Sequence, residues 1–156
     1  MAIEIERKFI VRGDGWRAGV TASEHLRQGY LANGSQVSVR IRIIDDKAAK
    51  LTVKAAASRD GPALARAEFE YPVPVEDALS MLDLHVGRIV EKTRYMVPTG
   101  DGRMWEIDVF AGALEGLVIA EIELADAADP VELPDWIERE VTDDPQYGNL
   151  ALALRD

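Results

Sequence analysis

The chain alternates between two spacings of apolar residues, and the shorter one dominates. Residues 3–10 place Ile3, Ile5 and Phe9 on one side and Glu4, Glu6 and Lys8 on the other, with Arg7 the exception. A period of two is the pattern of a β-strand. The same period marks His25 to Leu31, Val37 to Ile44, Lys50 to Lys54, Arg66 to Tyr71, Gly87 to Val97, Met104 to Phe110 and Leu117 to Leu124. Turn residues separate them at Gly13-Asp14-Gly15, Asn33-Gly34, Asp45-Asp46-Lys47, Gly100-Asp101-Gly102 and Gly112 to Gly116, with a loop at Ser58 to Pro62. Between residues 75 and 83 the spacing lengthens. Val75, Ala78, Leu79 and Leu82 fall at i, i+3, i+4 and i+7, which predicts an amphipathic helix entered at Pro74. Trp16 to Glu24 reads as a short helix and loop. Further short helical pieces are expected around Pro134 to Arg139 and from Gln146 to Leu154. About eight short strands joined by tight turns predict an α+β chain that is mainly antiparallel β, with a sheet that curls or closes on itself.

The charged faces of these strands carry the chemistry. Glu4, Glu6, Glu68, Glu70, Glu106, Asp108, Glu121 and Glu123 fall on them, together with Lys8, Arg40, Arg42, Lys54, Lys92 and Arg94. A one-faced antiparallel sheet with its charges in water gives the same alternation, and for any single pair that is the better reading. The ordering by sign argues against it. Same-sign pairs recur at i and i+2 on strand after strand, and same-sign neighbours on one sheet face repel. Something of opposite charge must relieve them. The expectation is an inside-out barrel with a charged lumen and an apolar outer wall covered by helices, the reverse of the apolar filling usual in small barrels.

Composition narrows the setting. At 156 residues the chain suits one domain, residues 1–156, with a sizeable core. No cysteine is present, which excludes disulfides, thiolate metal sites and a cysteine nucleophile. No apolar run reaches the length of a membrane span, and a charged strand begins within four residues of Met1. A cytoplasmic protein that engages neither membrane nor nucleic acid is expected. The 28 acidic residues against 18 basic ones support the last point. An apolar outer wall leaves a homodimer open.

Carboxylate pairs suit hard cations such as Mg²⁺ or Mn²⁺. Lysine and arginine clusters suit phosphate oxygens, arginine through its bidentate fork. Together they describe a polyphosphate held by basic residues and bridged by metal to carboxylates, a site that supplies the positioning and charge neutralisation phosphoryl transfer requires.

Glu4-Ile5-Glu6-Arg7-Lys8 resembles the E-x-E-x-K signature of the CYTH family, the triphosphate tunnel metalloenzymes. The resemblance continues through Leu26-Arg27-Gln28-Gly29-Tyr30-Leu31, Arg40-Ile41-Arg42, Leu51-Thr52-Val53-Lys54 and Glu68-Phe69-Glu70. It extends through Glu91-Lys92-Thr93-Arg94-Tyr95, Glu106-Ile107-Asp108-Val109-Phe110, Glu121-Ile122-Glu123 and Tyr147-Gly148-Asn149-Leu150-Ala151. It implies an eight-stranded antiparallel tunnel that binds a triphosphate, closest in look to short bacterial inorganic triphosphatases. By its pattern Glu4, Glu6, Glu121 and Glu123 are metal ligands, with Asp108 and Glu70 close by in the same set. Lys8, Arg40, Arg42, Lys54, Lys92 and Arg94 bind phosphate oxygens, with Arg88 a weaker candidate. Tyr30 pairs with Lys8 in proton transfer at the attacking water. One Mg²⁺ or Mn²⁺ ion clamps the triphosphate, and a second orients or deprotonates that water.

The resemblance implies hydrolysis of inorganic triphosphate to phosphate and diphosphate. Alternatives on the same residues are a class IV-type adenylate cyclase, a nucleoside or thiamine triphosphatase, and a non-catalytic polyphosphate-binding module. No base-binding element is visible for a nucleotide, and retention of both acidic pairs argues against a module that binds only an anion. Trp16, Trp105 and Trp136 read as packing residues, and His25 and His85 as surface or loop positions. Gln146 stands where relatives often carry a basic residue, which puts a phosphate contact from the tail in doubt.

Overall fold

A computed structural model describes residues 2–55 and 65–154; the expected loop at Ser58 to Pro62 lies outside the described residues. The strands are β1 (Ala2–Val11), β2 (Ala22–Asn33), β3 (Val37–Ile44), β4 (Ala48–Ala55), β5 (Ala65–Val73), β6 (Val86–Pro98), β7 (Met104–Phe110), β8 (Val118–Glu123) and β9 (Ile137–Glu140). Helix α1 spans Val75–Leu82 and α2 spans Asn149–Leu154, with 3-10 turns at Gly15–Gly19, Gly112–Leu114 and Pro145–Tyr147. Every pairing is antiparallel. Strands run β5-β4-β3-β2-β6-β7-β8-β1, and β1 pairs back onto β5, so eight strands close into a barrel. The ninth pairs along β1 where β5 has ended: β5 takes residues 2–5 and β9 takes residues 9–11.

That ninth strand corrects the helix expected around Pro134 to Arg139. Ile137, Arg139 and Val141 alternate with Glu138 and Glu140, and a free edge of β1 is there to receive them. Edge pairing outweighs the weak local preference of a short segment. The expected tail helix is present but broken, with a 3-10 turn and α2 meeting at Gly148. Asp45 and Asp46 both take positive φ, 52° and 56°, as a tight hairpin between twisted strands requires.

The barrel is inside-out. Ile41, Ile43 and Ala49 point outward and are buried by Ala78 and Leu82 of α1. Gly29 permits this approach, since a Cβ there would lie 3.1 Å from His85 Cβ and 3.3 Å from Leu82 Cδ2. On the other flank Phe9, Trp105, Ile107, Ala120 and Ile122 form an outward core closed by Trp16, Leu124 and Ile137. Trp105 stands edge-on to Phe9 at 5.5 Å and to Trp136 at 5.3 Å, so the tryptophans are packing residues. The cover on this flank is a 3-10 turn, an irregular segment and β9 rather than helices. A third cluster lies at one end of the tunnel, where Leu152 and Ala153 of α2 meet Tyr30, Val90, Phe110 and Ile119. Ile3, Val37, Phe69 and Tyr71 remain exposed on the outer wall. Among the described residues no helix is long and apolar enough to cross a membrane.

Trp105→Ala should lower the unfolding free energy by about 3–5 kcal/mol, the usual cost of truncating a buried aromatic. Denaturant titration checks it, and a loss below about 1 kcal/mol would mean that the outer cluster does not hold this wall.

Candidate active site

The register carries the sequence's charged faces into the lumen. Glu6 stands opposite Glu123 and Lys8 opposite Glu121 across β1 and β8. Glu106 stands opposite Glu121 across β7 and β8, and Arg94 opposite Asp108 across β6 and β7. Gln28 faces Arg42 and Tyr30 faces Arg40 across β2 and β3. Arg40 faces Thr52, and Thr52 faces Glu70. Residues paired in a ladder share a face, so all of these point inward. Arg40, Arg42, Lys92, Arg94, Asp108 and Glu121 are all buried, whereas Glu123 lies at the exposed end of β8.

The lumen has three electrostatic regions. Along β6 and β7 opposite charges neutralise one another. Arg94 grips Asp108 with both arms of its fork, at 2.8 and 2.9 Å, and reaches Glu106 at 2.6 Å. Lys92 Nζ lies 2.7 Å from Asp108 Oδ2, an ion pair without hydrogen-bond alignment. Burial pushes Arg94 down, but Asp108 and Glu106 outweigh it and hold the guanidinium well above its ordinary range. Burial is again the largest influence on Lys92, and with Arg94 and Arg42 close by it holds the ammonium down at about 8 despite Asp108.

Along β2, β3 and β4 the inward arginines hydrogen-bond to neutral groups, while Lys50 and Lys54 pair with carboxylates. Arg42 Nε donates to Gln28 Oε1 at 2.7 Å, and Arg40 Nη2 donates to Thr52 Oγ1 at 3.3 Å. Thr52 Oγ1 in turn donates a hydrogen bond to Glu70 Oε2 at 3.0 Å, and Glu70 also pairs with Lys50 at 3.3 Å and Arg40 at 3.8 Å. Burial, with Arg40 and Arg94 nearby, brings Arg42 down to about 9.

Along β8, β1 and β5 acids are in surplus. Burial pushes Glu4 up, but Lys54, 2.8 Å away, and hydrogen bonding with Glu6 hold it at about 2. Glu6 is pushed well above the carboxylate range by burial and by Glu121 and Glu4. Burial opposes ionisation of Glu121 as well, yet Lys8, Arg94 and Lys92 hold it well below the ordinary value. Glu68, not expected in the site, is raised to about 7 by burial and by Glu4.

A cavity of about 650 Å³ joins Glu4, Glu6, Lys8, Tyr30, Lys54 and Arg66 to the tail at Val141 to Pro145 and Gly148. Lys8 Nζ donates to the Tyr147 carbonyl at 3.1 Å and lies 3.5 Å from Glu121. Tyr30 lines the same cavity, but among the described residues no hydrogen bond joins it to Lys8. Arg88 is half-buried on β6. His25 lies on β2, bonded through Nε2 to Glu91 at 2.6 Å, and His85 Nδ1 contacts the Leu82 carbonyl oxygen.

Two features speak to ligands. Among the described residues Gln28 Nε2 and Arg40 Nε are buried donors without a hydrogen-bond partner, and Lys92 Nζ has only its ion pair with Asp108. They sit on three adjacent strands and face inward, as an anion with several acceptor oxygens would require. Among the described residues no cluster of three or more His, Asp and Glu side chains is arranged as it stands to hold a metal ion. The donor set still fits one. Its ligands are hard oxygens, and the crowding of Glu4, Glu6 and Glu121 raises Glu6 well above the ordinary carboxylate range, a repulsion that a divalent cation would relieve.

A closed antiparallel tunnel with a two-signed interior and an E-x-E-x-K entry strand defines the class: a β-barrel built to hold a polyanion beside carboxylates. Residues 2–151 match the CYTH domain, and the chain belongs to that family. An inorganic triphosphatase of Acetivibrio thermocellus is 43% identical over 150 residues, spanning 96% of this chain and 92% of the relative. One from Nitrosomonas europaea is 39% identical over 154 residues, 97% of each. The crystal structure of the inorganic triphosphatase NE1496 superposes with a TM-score of 0.69 at 36% identity, covering 100% of this chain and 97% of that one. Family membership implies dependence on a divalent metal ion in general.

Gln28, Thr52, Glu68 and the tail carbonyl were missing from the sequence-derived site. Gln28 and Thr52 were findable as polar residues on inward faces; a backbone carbonyl leaves no trace in sequence. Asp108→Ala leaves Lys92 and Arg94 buried without their shared partner and should cost about 3–5 kcal/mol of stability. Thermal unfolding checks it, with Glu106→Gln, at the more exposed carboxylate, losing less.

Proposed function

We propose that the protein hydrolyses inorganic triphosphate to phosphate and diphosphate inside the tunnel, using Mg²⁺ or Mn²⁺. The observation that carries this reading is the set of inward donors on β2, β3 and β6 that lack a hydrogen-bond partner among the described residues, facing a wall of surplus carboxylates. The relatives support the choice of substrate.

In this reading Arg40, Arg42, Lys54, Lys92 and Arg94 bind the phosphate oxygens. Glu4, Glu6, Glu121 and Glu123 hold the metal. Asp108 and Glu70, now engaged by cations, join that set once the substrate's own oxygens take those cations over. A bound divalent ion supplies charge neutralisation and Lewis acidity at the phosphate oxygens. Lys8 and Tyr30 share the cavity with Glu4 and Glu6 and serve proton transfer at the attacking water. For Lys8 this requires leaving the Tyr147 carbonyl.

The test offers triphosphate, ATP and thiamine triphosphate separately, each with Mg²⁺, Mn²⁺ or EDTA, and measures phosphate and cyclic AMP. Metal-dependent phosphate release fastest from triphosphate is expected. Cyclic AMP from ATP would establish a cyclase, and tight triphosphate binding without turnover a binding module.

Glu6→Gln and Glu123→Gln should each lower kcat at least about a hundredfold while the fold survives, in the range set by losing a group that stabilises the transition state. Unchanged turnover in both would remove the metal assignment.

A further inference from the structure

Among the inward-facing polar groups of the lumen, Gln28 and Thr52 are neither acid nor base and yet both are deeply buried. Gln28 is 1% exposed. It stands on β2 between Arg42 on β3 and Val90 on β6. Its orientation is fixed by chemistry. Arg42 Nε can only donate, so the atom 2.7 Å away is the amide oxygen. The amide nitrogen therefore points elsewhere, and it has no partner.

A buried amide nitrogen without an acceptor is costly to keep, since desolvation of the group is uncompensated. A purely structural residue at this position would have no reason to retain it: glutamate would keep the acceptor for Arg42, pair with it more strongly and leave no orphan donor. The choice of a neutral acceptor has a second consequence. Arg94, gripped by Asp108, has its charge cancelled in place. Arg42, held by an amide, is oriented without being neutralised, and its charge stays available.

Resting on the triphosphatase reading above, we infer that Gln28 is a further substrate-binding residue of this tunnel, aligning Arg42 through Oε1 and donating from Nε2 to a phosphate oxygen. Arg40 Nε on the flanking β3, also without a hydrogen-bond partner among the described residues, would be satisfied by the same polyanion. An amide at the centre of such a group adds a directed donor without adding charge.

The experiment compares wild type with Gln28→Glu and Gln28→Met, measuring triphosphate turnover with Mg²⁺ and thermal unfolding without substrate. Gln28→Glu keeps the acceptor for Arg42, removes the orphan donor and adds a counter-charge. It should melt at or above the wild-type temperature while KM for triphosphate rises about tenfold or more, the worth of one hydrogen bond to a charged group. Gln28→Met removes both the donor and the acceptor for Arg42 without adding charge and should raise KM in the same direction, with kcat changed less. Opposite movement of stability and affinity in the glutamate variant is the signature that a structural role does not produce. KM within twofold of wild type in both variants overturns the inference and leaves the triphosphatase reading intact. So does a loss of affinity that only tracks a loss of stability, or failure of both variants to fold. A wild-type protein that neither turns over nor binds triphosphate overturns the parent reading and this one with it.

Discussion

Charges of both signs share an enclosed space here, and each must find compensation without bulk water. Burial costs a charge several kcal/mol unless it is paired and hydrogen-bonded, and the three walls of the lumen differ in how far they meet that requirement. The β6–β7 wall pairs Lys92 and Arg94 with Asp108 and Glu106. The β2–β4 wall gives its arginines Gln28 and Thr52, which orient them without cancelling them. The β8–β1–β5 wall has more carboxylates than cations, and the crowding raises Glu6 well above the ordinary carboxylate range.

Putting charge inside moves the hydrophobic core outside. The barrel's wall is anchored by α1 on one flank and by the Trp16, Trp105 and Trp136 region on the other. Stability and chemistry therefore lie on opposite faces of the same strands, one residue apart. Ile41 holds the fold while Arg40 and Arg42 face the lumen. This separation lets the interior carry a density of ionisable groups that would ruin a barrel packed from within.

Much of this was legible in the alternation. The strands followed from the period of two, α1 from Val75, Ala78, Leu79 and Leu82, and the inside-out arrangement from same-sign pairs such as Arg40 and Arg42. What was not legible depended on partners distant in sequence. Ile137 to Glu140 reads as a strand only when the vacant edge of β1 is known. The engagement of Asp108 by Arg94 depends on strand register, and Lys8 reaching the Tyr147 carbonyl depends on where the tail is placed. Gln28 was visible as a letter within the family pattern, but its role depends on the direction of its amide, which only the neighbouring arginine reveals.

The strand bearing Lys8 also has a bearing on biosynthesis. Its partners are residues 65–68, 119–123 and 137–140, and Thr142 and Val141 hydrogen-bond the backbone of Lys8 itself. Until residues 65–68 and then the later segments reach it, this strand waits unpaired on at least one edge. Pairings of such long separation in sequence are slow to form, and an unpaired strand edge is prone to aggregation. The charged alternation of Glu4, Glu6, Arg7 and Lys8 thus serves a second purpose. Before it binds anything, it keeps the waiting strand soluble.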